Sequence, residues 1–185
     1  MVAKIGRGKS LFGALSYNMD KVKNNTATVL AGQKIIESPD GTFTVPQVSQ
    51  SFLAYLAANR KTEKPVVHIS LNPDPDDKVS NNDYKSIAKD YMKEMGYGKQ
   101  PFIVFKHNDI KRSHIHIVTV CIDEEGKKIS DAYEKRRSMA ACRELERKYH
   151  LKNAVEKKLN RTEPIFKPVN YKAGDIKSQM AAVIR

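Results

Sequence analysis

The chain has 185 residues, long enough for one domain with its own core and short for two. Hydrophobic residues make up 40% and charged residues 29%, a globular rather than disordered composition. No apolar run reaches the roughly 18 residues of a membrane span, and Met1-Val2-Ala3-Lys4-Ile5-Gly6-Arg7 lacks the apolar core of a signal peptide. Lys plus Arg outnumber Asp plus Glu by 33 to 21, a formal charge of +12, which suits a polyanionic partner and equally suits a plain solvated basic surface. Cys121 and Cys142 make neither a CxxC pair nor a disulfide framework, so they read as reduced thiols of a cytoplasmic protein.

In chain order, Val2 to Ile5 reads as a first strand, and Ser10 as the cap of a helix over Leu11 to Met19. Thr26 to Ile36 is rich in strand formers and ends near the turn Ser38-Pro39-Asp40-Gly41. Pro46 suits the first turn of a helix carrying Val48, Phe52, Leu56 and Asn59. Pro65 to Leu71 reads as a strand. Ser80 or Asn82 caps a helix with Tyr84, Ile87, Ala88, Tyr91, Met92 and Met95 along one side, which Gly96 ends. Phe102 to Lys106 and Ser113 to Ile122 form an antiparallel hairpin, and Glu125-Gly126 turns the chain again. Arg136 to Tyr149 is a helix with Met139, Cys142, Leu145 and Tyr149 on its apolar side. The sum is an α+β fold, a central antiparallel sheet with helices packed on one side. After Lys152 the pattern weakens, and the helical stretch Asp175 to Arg185 reads as cut from a longer protein. The expected division is therefore a domain over 1–160 and an extension over 161–185.

The most informative stretch is His107-Asn108-Asp109-Ile110-Lys111-Arg112-Ser113-His114-Ile115-His116, which holds three of the five histidines. On a strand, residues two apart point the same way, so His114 and His116 share a face. A short hairpin loop brings His107, at the end of the preceding strand, beside them. Three imidazoles at a strand end suit a divalent ion and leave positions open for a substrate oxygen. By ligand type, Zn²⁺ fits at least as well as any other ion. Asp109 is placed to orient one ligand, or to serve as a turn residue. His68, inside Val67-His68-Ile69, borders the same site or is a buried histidine bonded to backbone, the latter being the preferred reading.

At about 100° per residue, Leu11, Phe12, Leu15 and Met19 cluster on one side of the first helix. Tyr17 falls roughly opposite, with Ser10, Gly13 and Asp20, and is free of the helix's own seam. Tyr84, Tyr91 and Tyr149 fall on or near apolar stripes and read as core, whereas Tyr97, Tyr133 and Tyr171 fall in turns or tails. Gly6-Arg7-Gly8-Lys9-Ser10 is no phosphate-binding loop, because the residue five before Gly8 is Ala3. Asp74, Asp76 and Asp77 read as an exposed loop. Cys121 faces away from the histidines.

These residues together resemble a known family. His114-Ile115-His116 is similar to the His-hydrophobic-His signature of the HUH endonucleases, with His107 matching their third metal ligand. Ala14-Leu15-Ser16-Tyr17-Asn18-Met19-Asp20-Lys21-Val22, lying before the histidines, resembles the first motif of relaxases. His68-Ile69-Ser70-Leu71-Asn72-Pro73 and Gly96-Tyr97-Gly98-Lys99-Gln100-Pro101 look like the mobilization relaxases of Bacteroides mobile elements. The likeness spans about residues 1–150.

What the resemblance implies is a relaxase palm that nicks one DNA strand at a transfer origin. Tyr17 would attack the phosphate to leave a 5′-phosphotyrosyl link, with Mg²⁺ or Mn²⁺ on His107, His114 and His116. Lys4, Arg7, Lys9, Lys21, Arg136, Arg137 and Arg143 would contact the phosphate backbone. Expected partners are single-stranded DNA, accessory relaxosome proteins and a coupling protein in a bacterial cytoplasm, with no membrane insertion. Three alternatives stay open. One is a rolling-circle initiator using Tyr133, Tyr149 or Tyr171; the others are a metal-dependent hydrolase and a non-catalytic DNA-binding module.

Overall fold

Runs rich in Val, Ile and Phe between turn residues become strands, and a computed structural model of the chain sets five of them in one sheet. The structure describes residues 1–154 except 39, 110 and 111, and Met1–Ala154 forms one compact unit. The strands are β1 (Val2–Gly8), β2 (Ala27–Gln33), β3 (Val66–Asn72), β4 (Phe102–His107) and β5 (His114–Val120). Their order is β1-β3-β5-β4-β2, and every neighbouring pair is antiparallel. Among the described strands only β4 and β5 are joined as a hairpin; the others are reached through helices.

Four helices fill the connections: α1 (Leu11–Lys23), α2 (Val45–Ala58), α3 (Asn81–Glu94) and α4 (Glu134–Lys148). Local chemistry sets their ends. Ser10 Oγ accepts from Gly13 N at 2.9 Å and Ser80 Oγ from Asp83 N at 3.1 Å, each satisfying a free amide of a first turn. Pro46 occupies the first turn of α2. Gly96 takes φ +85° just past α3, a left-handed conformation that favours glycine, and Tyr97 N then donates back to Met92 O.

The α+β class and the antiparallel sheet are as expected, but the helices cover both faces rather than one. α3 and α4 pack on Val67, Ile69, Leu71, Val104, Ile115 and Ile117. Leu11, Leu15 and Met19 of α1, with Val48 and Phe52 of α2, pack on Val66, Ile103, Phe105, Val118 and Val120. The reason lies in the strands. β4 and β5 carry apolar residues on both sides of the pleat, and each side needs a cover. Two expected seam residues point outward: Phe12 is 62% exposed and Met139 66%. In α4 the buried residues are Ser138, Ala141, Cys142, Leu145 and Glu146, the last paired with the N-terminal ammonium of Met1. Tyr84 and Tyr91 are buried as expected, Tyr149 is partly so, and Tyr97 is buried although it lies in a turn. No described helix is long and apolar enough to cross a membrane. The expected extension 161–185 and its helix lie outside the described residues.

Candidate active site

Two register pairs build the site. His107 lies directly across from His114 in the β4–β5 hairpin, and His116 lies opposite Ser70 of β3, which makes His68 its diagonal neighbour. All four imidazoles stand on the face that α1 and α2 cover. Ring centroids of His107 are 4.1 Å from His116 and 5.3 Å from His114, and those of His114 and His116 are 5.0 Å apart. One ligand nitrogen from each of the three falls within 4.8 Å of the others. The loop between them is braced by Ser113 Oγ on Asn108 Oδ1, by Asn108 N on Thr26 O and by Tyr84 Oη on Ser113 O.

Burial decides the protonation of this cluster. It pushes His107 down to about 4, helped by the positive charge of Lys21. Burial likewise pushes His116 down to about 3, with its three histidine neighbours adding to the effect. His114 and His68 are also lowered, burial being the main cause. The imidazoles are therefore neutral near pH 7, as metal ligands must be. His107 Nδ1 is buried and has no hydrogen-bond partner among the described residues, an open position that a divalent ion would fill. The donor set thus fits a divalent ion.

Tyr17 is 51% exposed, away from the apolar seam of α1 as expected, and its ring centroid lies 6.3 Å from those of both His107 and His68. Lys21, one turn further along α1, holds its ammonium 5.1 Å from the Tyr17 ring centroid. That ammonium is paired with Asp109, the hydrogen bond from Lys21 keeping the carboxyl below its ordinary range. Asp109, expected either to orient a ligand or to serve as a turn residue, pairs with Lys21. His68 departs from its preferred reading too: its Nε2 lies 2.9 Å from His116 Nδ1, so it joins the site. One residue is missed by the sequence reading altogether. Asn18, wholly buried on α1, places its Oδ1 2.9 Å from His107 Nε2.

The basic residues divide. Lys4 is exposed and pairs across from Ser70, hence on the histidine face, and Lys9 is exposed in the β1–α1 turn. Arg7 turns to the other face and is held by Glu134 and Tyr97. Arg137 donates to the carbonyls of Ser130 and Met95, and Arg143 to Met1 O and to Asn153, contacts that brace α4. Arg136 is exposed, but α4 packs across the sheet from the histidines. Tyr133 and Tyr149 sit at the two ends of that same helix. Cys121 packs on the α3–α4 side, away from the imidazoles as expected.

A comparison with curated proteins finds no match. A family model does match: that of the relaxase family, MobA/VirD2-like nuclease domain, over residues 17–151. The matched span begins at Tyr17 and takes in all three clustered histidines, most of the sheet and all of α2, α3 and α4. The chain therefore belongs to the relaxases, as a MobA/VirD2-like nuclease domain whose substrate is DNA.

Proposed function

We propose that this chain nicks one strand of DNA at a transfer origin with Tyr17 as nucleophile, and so starts mobilization of a plasmid or integrative element in a bacterial cytoplasm. The observation that carries the reading is the half-exposed phenol of Tyr17 beside a neutral three-histidine group. Tyr17 gives up its phenolic proton and its oxygen attacks the scissile phosphorus. The Tyr17 O–P bond forms, the bond from phosphorus to the 3′ oxygen breaks, and the products are a 5′-phosphotyrosyl link and a free 3′-OH. The link retains the energy of the broken bond, so the reverse step rejoins the strand.

His107, His114 and His116 would hold the ion, Mg²⁺ or Mn²⁺ in the family's manner or Zn²⁺ by ligand type. When bound, it supplies Lewis-acid stabilisation of charge on the phosphate oxygens. The cation of Lys21 favours the negative charge that Tyr17 develops, while Asp109 keeps that cation over the ring. Lys4, Lys9 and Lys21, all on or beside the histidine face, would meet the phosphate backbone. Accessory relaxosome proteins and a coupling protein would complete the assembly, and the nicking domain would run over 1–160.

The test is a denaturing gel of the protein with single-stranded DNA tiled across the replicon that carries its gene, plus Mn²⁺. An adduct that both Tyr17→Phe and EDTA abolish is expected. Cleavage that survives Tyr17→Phe points instead to metal-bound water or another tyrosine. Salt-dependent binding with no cleavage of any tile points to a binding module.

A further inference from the structure

The buried side of α1 contains one polar side chain, Asn18, beside Leu11, Leu15 and Met19. It follows Leu11 by seven residues and Leu15 by three, so the amide enters the seam that helical spacing reserves for apolar groups. A fully buried amide is tolerated only when its atoms are bonded. Asn18 Nδ2 donates to Ala14 O at 2.7 Å, which fixes the amide's orientation and turns Oδ1 toward His107. That oxygen lies 2.9 Å from His107 Nε2 and can only accept, so the shared proton belongs to Nε2. A neutral imidazole carries one N–H. The lone pair is then on Nδ1, the buried atom without a partner among the described residues.

We propose that Asn18 is a positioning residue that holds His107 in its Nε2–H tautomer and presents Nδ1 to the divalent ion. The inference rests on the reading that the three histidines bind such an ion. It gives α1 two tasks in consecutive residues. Tyr17 stands on the open side of the helix, and Asn18, about 100° round it, clamps a ligand from the buried side. One turn of α1 thereby ties the reacting phenol to the hairpin that carries the ligands, so neither shifts without the other.

Two measurements on the whole chain test this. In metal-free protein, long-range ¹H–¹⁵N spectra of the histidine rings should assign His107 as Nε2–H; an Nδ1–H ring would overturn the proposal without any variant. Calorimetric titration with Mn²⁺ supplies the second. Asn18→Leu, which keeps the volume and removes the acceptor, should weaken binding about 10- to 100-fold, the usual effect of losing a ligand's outer partner. Asn18→Asp, which keeps an acceptor oxygen, should retain the affinity even if the leucine variant folds poorly. Unchanged affinity in Asn18→Leu overturns the role of Asn18 alone. No Mn²⁺ binding by the unsubstituted chain overturns the metal reading, and this inference with it.

Discussion

The two faces of the sheet are built from the same strands and do different work. Under α3 and α4, alternate residues of β3, β4 and β5 are apolar except Lys106 and Thr119, with Tyr91, Met92 and Leu145 closing the core. Under α1 and α2 the same strands begin a core with Val66, Phe105 and Val118, then break off into His68, Ser70, His107, His114 and His116. A histidine taken out of water gives up hydration for little packing, so this group, with His107 and His114 buried and His68 and His116 partly so, is a cost in stability that a bound ion offsets. One face holds the fold and the other spends some of its stability on chemistry.

The sharpest way to separate the faces is at Tyr17. Tyr17→Phe should lower adduct formation by at least about 10³-fold while the melting temperature stays unchanged, because the phenol is half in solvent and outside the core. Next in size is the opposite experiment on the closed face. Ile117→Ala, at a site with no exposure, should cost about 2–5 kcal/mol in urea unfolding. The fraction that stays folded should still form adduct.

A smaller effect is expected from pH. In EDTA, the histidines bind protons near pH 6.5 when unfolded, but only near about 4 for His107 and about 3 for His116 when folded. The unfolded state therefore holds more protons in that window. Stability should be full above pH 6.5 and fall as pH drops toward 4, a trend that His68→Gln would lessen. Mn²⁺ should raise the melting temperature at pH 7.5 and not at pH 4, where protons compete for the ligands. The smallest effect concerns DNA affinity. Lys4→Ala should reduce the slope of log K against log salt by about 0.7 for single-stranded DNA, whereas Arg136→Ala, across the sheet, should leave it unchanged.

Much of this was legible in the residues. The His-x-His spacing and the hairpin before it predict the convergence of His107, His114 and His116, because strand periodicity and hairpin closure are local rules. Tyr17 stands out by its place on the wheel of α1 together with the family resemblance, and the structure leaves it half exposed beside His107. The second helical layer is also written in the sequence, in the unbroken apolar run Phe102–Phe105 and in apolar residues on both sides of β5, Ile115 and Ile117 on one and Val118 and Val120 on the other, which the one-sided expectation overlooks. His68 could not be assigned, since its proximity to His116 depends on β3 pairing with β5, a non-local choice. Asn18 had a signal that went unread: a polar residue on an apolar stripe needs a partner. For the arginines of α4, charge shows in a sequence and the face it lies on does not.

The most direct test of the central claim locates the covalent bond. The adduct formed with Mn²⁺ and single-stranded DNA is digested with nuclease and trypsin, and the peptides are weighed. A nucleotide remnant on Ser10–Lys21, the tryptic peptide whose one tyrosine is Tyr17, is the predicted result. A remnant on a peptide holding Tyr133, Tyr149 or Tyr171 would contradict the account and make another tyrosine the nucleophile.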